Sequence, residues 1–205
     1  AGLRHKDAVS GEDVLENVVY VSGVPSQLPI PISCSIRGEL ECLISVFNEI
    51  KANWEEPKYG LERNPANTRN YTTGSIRQYK DPSITRTRRL QFVGYSMENI
   101  VFPSNYKGFI PKTKQEQAKW ANKELKINFV RMELHKFEDL ERLEKLYPTL
   151  DYEVDGIVLA VNNLEDYEQM GRHGDRATGN PKGAIAYKFE DEVAVSPFED
   201  CLWSL

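Results

Sequence analysis

An α+β fold with antiparallel sheets flanked by helices is the class this sequence predicts, on three observations. Strand and helix signals are intermixed along the chain without regular strand–helix–strand spacing, which argues against a parallel sheet. Ser33–Glu41 places Ser35, Arg37, Glu39 and Glu41 on one strand face with Ile36 and Leu40 opposite. Two apolar segments near the C-terminal end, Tyr152–Val161 and Lys182–Phe189, carry a charge within a strand-like run.

The elements follow in order. Ser10-Gly-Glu-Asp13 reads as a helix N-cap with acids in the first turn, ahead of Val14–Val21. Pro25, Pro29 and Pro31 then break the chain before the strand 33–41. Residues 42–52 read as a helix, and 53–75 as a long loop with helical turns, a length usually reserved for function. Leu90–Ser96 is a second strand, with Phe92 and Gly94 opposite Val93 and Tyr95. An amphipathic helix is expected over 113–126, and a Glu- and Lys-rich one over about 136–147, ending before Pro148.

The two late segments define the candidate site. In the second, Ile185, Tyr187 and Phe189 share one face, while Ala184, Ala186 and Lys188 share the other. A lysine among alanines has open space in front of it. In the first, Asp155, Val158 and Ala160 gather on the side away from Ile157, Leu159 and Val161, around a Gly156 that lets a ligand approach the backbone. We expect these segments to form two walls of a cleft with one carboxylate and one ammonium. The bland alternative is an Asp-Gly turn and a snorkelling surface lysine.

Composition narrows the class further. With 205 residues, 40% hydrophobic and 28% charged, the chain can bury one substantial core. It has no apolar run near the ~18 residues that span a bilayer and no signal peptide, so an intracellular protein without membrane partners is expected. Cys34, Cys42 and Cys201 form no disulfide framework or zinc pattern and read as small hydrophobes. The net charge of −5 hides a basic stretch: Arg63, Arg69, Arg77, Lys80, Arg86, Arg88 and Arg89 stand against Asp81 alone. The chain opens on Ala1 with sequence that looks internal to a domain, so one part of a larger protein is expected.

Six segments then carry a resemblance. They are Ser-Gly-Glu-Asp-Val (10–14), Ile-Arg-Gly-Glu-Leu (36–40), Asn-Pro-Ala-Asn-Thr-Arg-Asn through Gly-Ser-Ile-Arg-Gln (64–78), Phe-Val-Gly-Tyr (92–95), Tyr-Glu-Val-Asp-Gly-Ile-Val (152–158) and Ala-Ile-Ala-Tyr-Lys-Phe (184–189). In type, order and spacing the chain resembles the adenylation domain of NAD-dependent DNA ligases. The 64–78 block separates that branch from ATP-dependent ligases and capping enzymes. The resemblance implies a nucleotidyltransferase fold of the DNA ligase type, incomplete at its N-terminus, over residues 1–192, with 193–205 leading into an oligonucleotide-binding barrel. It implies NAD and Mg²⁺ as cofactors and nicked duplex DNA as partner.

On that resemblance, Lys188, Asp155 and Glu39 are the catalytic candidates: Lys188 for the phosphate, Asp155 for Mg²⁺ or the reacting lysine, Glu39 for the ribose hydroxyls. Tyr95 and Val158 would hold the adenine, and Gly156, Glu12, Arg37 and Arg4 complete the cofactor set. Arg69 and Arg77 suit the nick's phosphates. The plainer readings are a core Tyr95, a Glu39 paired with Arg37, and a solvated arginine loop.

Two departures stand out. No Lys-x-Asp-Gly occurs in these 205 residues, so the nucleophile is expected from an upstream segment or a second polypeptide, which would also bring the nicotinamide-binding domain. Ala160 stands where the family carries a phosphate-contacting lysine, with Lys182 and Arg172 as neighbouring cations. The family's arginine shortly before Asp-Gly is also not evident, Tyr147 and Lys145 lying near its place. An ATP-dependent or RNA ligase relative, and a degenerate domain that binds nucleotide or nicks without catalysis, stay open as alternatives.

Overall fold

Strand β3 (Ser33–Glu41) pairs antiparallel with β4 (Gln91–Val101) and forms the frame of the molecule. The computed structural model describes residues 2–4, 11–54, 65–130, 132–133, 139–174 and 179–189, the first three by backbone alone. Cross-strand partners share a face. Ser35, Arg37, Glu39 and Glu41 therefore stand with Glu98, Ser96, Val93 and Gln91 on a polar face, as the alternation predicts for β3. Ile36, Gly38 and Leu40 stand with Met97, Gly94 and Phe92 on the other.

Strand β4 runs five residues beyond the expected end at Ser96, because two bulges interrupt its alternation. Arg37 faces Ser96 and Gly38 faces Gly94, so Tyr95 is an extra residue without a partner on β3. A second shift between Ser33 and Ser35 falls at Asn99, whose φ of 53° is left-handed. Bulges re-aim side chains, and Tyr95 is left 44% exposed.

The apolar face of this pair separates two clusters that both touch Phe92. One is Val14, Val18, Val21, Cys42, Phe47, Ile50, Tyr71, Ile76 and Leu90. The other is Met97, Ala118, Trp120, Ala121, Leu125, Ile127 and Phe129. Helices α2 (Ile44–Ala52), α3 (Thr68–Ile76) and α4 (Lys114–Trp120) supply them. Helix α4 starts where the sequence places it, with a Thr113/Glu116 capping box, and continues as a π-helical turn over Ala121–Leu125. The two described cysteines, Cys34 and Cys42, are free, and burial pushes the Cys42 thiol up to about 11.

Three expectations need correction. Gly11–Asp13 is not a helix cap but strand β2, paired with β1 (Gly2–Arg4); the helix that follows, α1, covers only Leu15–Val18, with Leu15 N–H donating to Asp13 Oδ1 at 3.0 Å. Within the expected loop 53–75, Thr68 onward is helix α3, because Asn67 caps it by accepting the Asn70 N–H at 2.8 Å; residues 55–64 lie outside the described residues. The Glu- and Lys-rich helix, described as α5 (Leu140–Leu146), does not stop before Pro148 but passes into a 3₁₀ turn, Tyr147–Thr149, that contains it; residues 136–138 lie outside the described residues.

The two late segments are β5 (Gly156–Ala160) and β6 (Ala184–Lys188), joined through α6 (Leu164–Gln169). They pair directly, Gly156 with Lys188 through Ala160 with Ala184. They are thus one ribbon and one wall, not the two walls expected; alternation assigns faces but not whether two strands are neighbours. Helix N-termini hold both ends of β5. Asp151 accepts Ser45 N–H at 2.7 Å and Ser45 Oγ–H at 2.6 Å at the start of α2, and its carbonyl accepts Ile44 N–H. At the far end Asn162 takes the N–H groups of Lys114 and Gln115 at the start of α4. Asp151 is therefore a long-range N-cap. Asp151→Ala should lower stability by about 1 kcal/mol, seen as a lower urea midpoint; an unchanged midpoint would mean that water replaces the cap without loss.

Candidate functional site

One face of the ribbon carries Gly156, Val158 and Ala160 beside Lys188, Ala186 and Ala184, and the other carries Ile185 and Tyr187, which are exposed as well. Val158 is 68% exposed, so an apolar side chain lies open where burial would stabilise it. Gly156 is required by the pairing: a Cβ there would meet the Tyr187 carbonyl oxygen at 2.3 Å. The opposite face is aromatic at its end, where Phe189 stacks on Tyr147 with ring centroids 4.4 Å apart.

Lys188 Nζ donates to Asp155 Oδ2 at 2.7 Å, with both side chains about 70% exposed (72% and 69%). The Lys188 hydrogen bond is the largest of the influences that hold the Asp155 carboxyl below the usual aspartate value, and Arg69 adds a smaller charge effect. Arg69, exposed in the first turn of α3, thus reaches the electrostatic neighbourhood of this pair. In the open pair each partner keeps hydrogen-bonding capacity for a ligand.

The other predicted residues fall into two further groups. Glu12 Oε2 accepts from Arg77 Nε at 2.9 Å and from the Tyr79 hydroxyl at 2.5 Å, and this carboxylate raises the Tyr79 pKa. Arg69 and Arg77 therefore sit about 12 Å apart at opposite ends of α3 and serve different groups. On the polar face of the frame, Arg37 lies 3.7 Å from Glu98, which also takes Arg172. Glu39 stands exposed on that face, opposite Val93. Arg4 is described by backbone only, opposite Gly11.

The basic stretch is not the open surface its charge suggests. Arg88 is fully buried, Arg89 pairs with Glu49 at 2.8 Å, and Arg86 lies over the Tyr20 ring. Among the described residues of the stretch, Arg69, Arg77, Lys80, Arg86 and Arg89 are exposed, with Arg77 tied to Glu12 and Arg89 to Glu49; Arg63 lies outside the described residues.

Sequence reasoning passed over Glu98, Lys114 and Tyr167. Lys114 is 8% exposed, its ammonium 3.5 Å from the centroid of the Tyr167 ring. Burial lowers its pKa most, with Glu98 and Glu168 acting against the fall and Arg172 adding to it. No spacing in the chain points to this pairing, because α4 and α6 meet only in the fold. Among the described residues no group of three or more His, Cys, Asp and Glu side chains is arranged for a metal ion, and no helix is long and apolar enough to cross a membrane.

With this geometry in place, the match to known proteins is direct. Residues 2–192 match the model of the NAD-dependent DNA ligase adenylation domain, and the chain belongs to that family. Its relatives carry the name DNA ligase. It is 30% identical over 209 residues to that of Phytoplasma australiense, covering 99% of this chain and 29% of the relative. To that of Carboxydothermus hydrogenoformans it is 31% identical over 209 residues, covering 98% and 29%. To that of Natranaerobius thermophilus it is 33% identical over 204 residues, covering 95% and 28%. The chain thus spans less than a third of the length of these relatives.

Proposed function

We propose that this chain is the nucleotide-holding part of an NAD-dependent DNA ligase, with a nucleotidyltransferase fold over residues 1–192 and a lead-in to an oligonucleotide-binding barrel over 193–205. The observation that carries the reading is the open Lys188–Asp155 pair beside Val158 on a ribbon of small side chains. It is supported by the family match.

The residues suit an adenine nucleotide. Val158 and Tyr95 supply exposed apolar and aromatic surface for the base, Glu39 an acceptor for ribose hydroxyls, and Lys188 a charge for the phosphate. Bound NAD supplies an adenylate with nicotinamide mononucleotide as leaving group. A lysine from a Lys-x-Asp-Gly segment outside these residues attacks the adenylate phosphorus, and the bond to the mononucleotide breaks. The adenylate then passes to the 5′-phosphate of a nick, and the 3′-hydroxyl displaces AMP. In each step Lys188 neutralises charge that develops on the phosphoryl oxygens, while Asp155 orients Lys188. Mg²⁺ fits through Asp155 together with nucleotide phosphates, since that ion commonly takes one or two protein carboxylates. Arg69, with Arg77 once released from Glu12, would contact nick phosphates.

One observation favours a second reading, nucleotide or nick binding without catalysis: Ala160 is exposed on the site face where the resemblance places a lysine. A mass measurement decides between them. These 205 residues incubated with NAD or ATP should gain no AMP. Joined to a Lys-x-Asp-Gly segment and its nicotinamide-binding domain, they should gain one AMP from NAD and not from ATP. An adduct on the chain alone would place the nucleophile elsewhere, equal use of ATP would move the chain to another ligase branch, and no adduct in the completed protein would favour the binding reading.

A further inference from the structure

We propose that Glu98 is a positioning residue for this site, tying the ribbon β5–β6 to the frame β3–β4; its role in adenylyl transfer rests on the reading above. Three observations carry it. Glu98 Oε1 accepts from Arg172 Nη2 at 2.5 Å, and Arg172, only 18% exposed, also donates from Nη1 to the Gly179 carbonyl at 3.0 Å. Arg172 belongs to the connection from α6 to β6, so this bond joins the ribbon's own loop to the polar face of β4. The second oxygen, Oε2, lies 3.7 Å from Arg37 on β3, and Ser96 Oγ–H donates to Oε1 at 3.2 Å.

One carboxylate therefore sits between an arginine of the frame and one of the ribbon's own connection. The Asp151 and Asn162 bonds hold the two ends of β5, but they are made at the ends of one strand. The tie to the return connection adds to the Lys114–Tyr167 contact between α4 and α6 a second hold against rotation of the ribbon about that strand. Rotation would move Val158 and Lys188 relative to Tyr95 and Glu39. The arrangement also commits Arg172, which accordingly does not serve as the replacement for the cation missing at Ala160.

A half-buried pair losing one partner leaves a charge poorly compensated, so both members are needed. The test uses two readouts. In the full chain, hydrogen exchange at the β5–β6 amides should quicken in Glu98→Gln and in Arg172→Met, with no further change in the double variant. In the protein completed with its Lys-x-Asp-Gly segment, Glu98→Gln should raise the NAD concentration for half-maximal single-turnover adenylylation roughly tenfold while changing the maximal rate less than about threefold. Glu98→Asp should recover part of the loss.

Unchanged exchange in the ribbon, or exchange effects that add in the double variant, would overturn the tie. Faster exchange with an unaltered NAD requirement would overturn the positioning role. A completed wild type that takes up no AMP, while Glu98→Gln still quickens exchange, would instead retire the functional reading and its adenylylation role together, leaving a purely structural tie.

Discussion

Replacing Lys188 by methionine in the completed protein is expected to slow adenylyl transfer roughly 10²–10³-fold, about 3–4 kcal/mol of lost transition-state stabilisation. The magnitude follows from removing one preorganised charge from a developing oxyanion. Lys188 is 72% exposed, so the substitution removes little packing and should change stability by no more than about 0.5 kcal/mol. Asp155 gives the variant a second signature. Its carboxyl is held below the ordinary aspartate value chiefly by the Lys188 hydrogen bond. Without that donor its pKa rises, and the acid limb of the residual activity moves to higher pH. Single-turnover AMP transfer across a pH series, with a thermal melt as control, reads all three quantities. A variant that keeps wild-type rates would show that Lys188 faces the phosphate only by proximity of sequence pattern.

Ala160→Lys is expected to change the rate in the opposite direction, accelerating adenylylation in the completed protein by up to roughly 10²–10³-fold. Ala160 is exposed and shares the site face with Val158, and its cross-strand partner is Ala184. Nothing large stands against a longer side chain there. Lys188 lies beside Gly156, so the two lysines would start about 13 Å apart along the ribbon. Two converging side chains can close much of that distance around a phosphate above Val158. Lys182, exposed and just before β6, is the remaining one of the two neighbouring cations named from the sequence. If the wild type is already fast and Ala160→Lys leaves it unchanged, Lys182 or a partner supplies the charge, and the non-catalytic reading falls. Lys182→Ala then tells those two sources apart.

Much of this site was readable from spacing. The faces of Ser33–Glu41 followed from simple alternation, and the ribbon strands followed from apolar runs interrupted by one charge each. What stayed hidden depends on contacts between distant segments. No pattern near Ser45 announces that Asp151, 106 positions later, caps its helix. The arginine-rich stretch looks uniform in sequence, yet Arg88 is buried while Arg69 is open. Burial of a charge depends on tertiary partners that composition does not record. Strand β4 was cut short for a different reason: its polar-face residues are odd-numbered up to Val93 and even-numbered at Ser96 and Glu98. A period-two reading loses the strand at that switch.

That switch bears on how this domain can change length. Tyr95 is one residue of slack: the residues of β4 from Ser96 to Glu98 are one step out of phase with those up to Gly94, and the second bulge at Asn99 brings Val101 back into phase. Deleting it would restore strict alternation and keep Met97 in the core and Glu98 on the polar face, whereas straightening the strand with Tyr95 retained would turn Met97 outward and Glu98 inward. A single codon lost here is therefore a change the sheet can absorb: it removes the exposed tyrosine and the bulge that aims it and leaves the core side chains on their face, so this is a point where the frame can shorten at the cost of the site and not of the core.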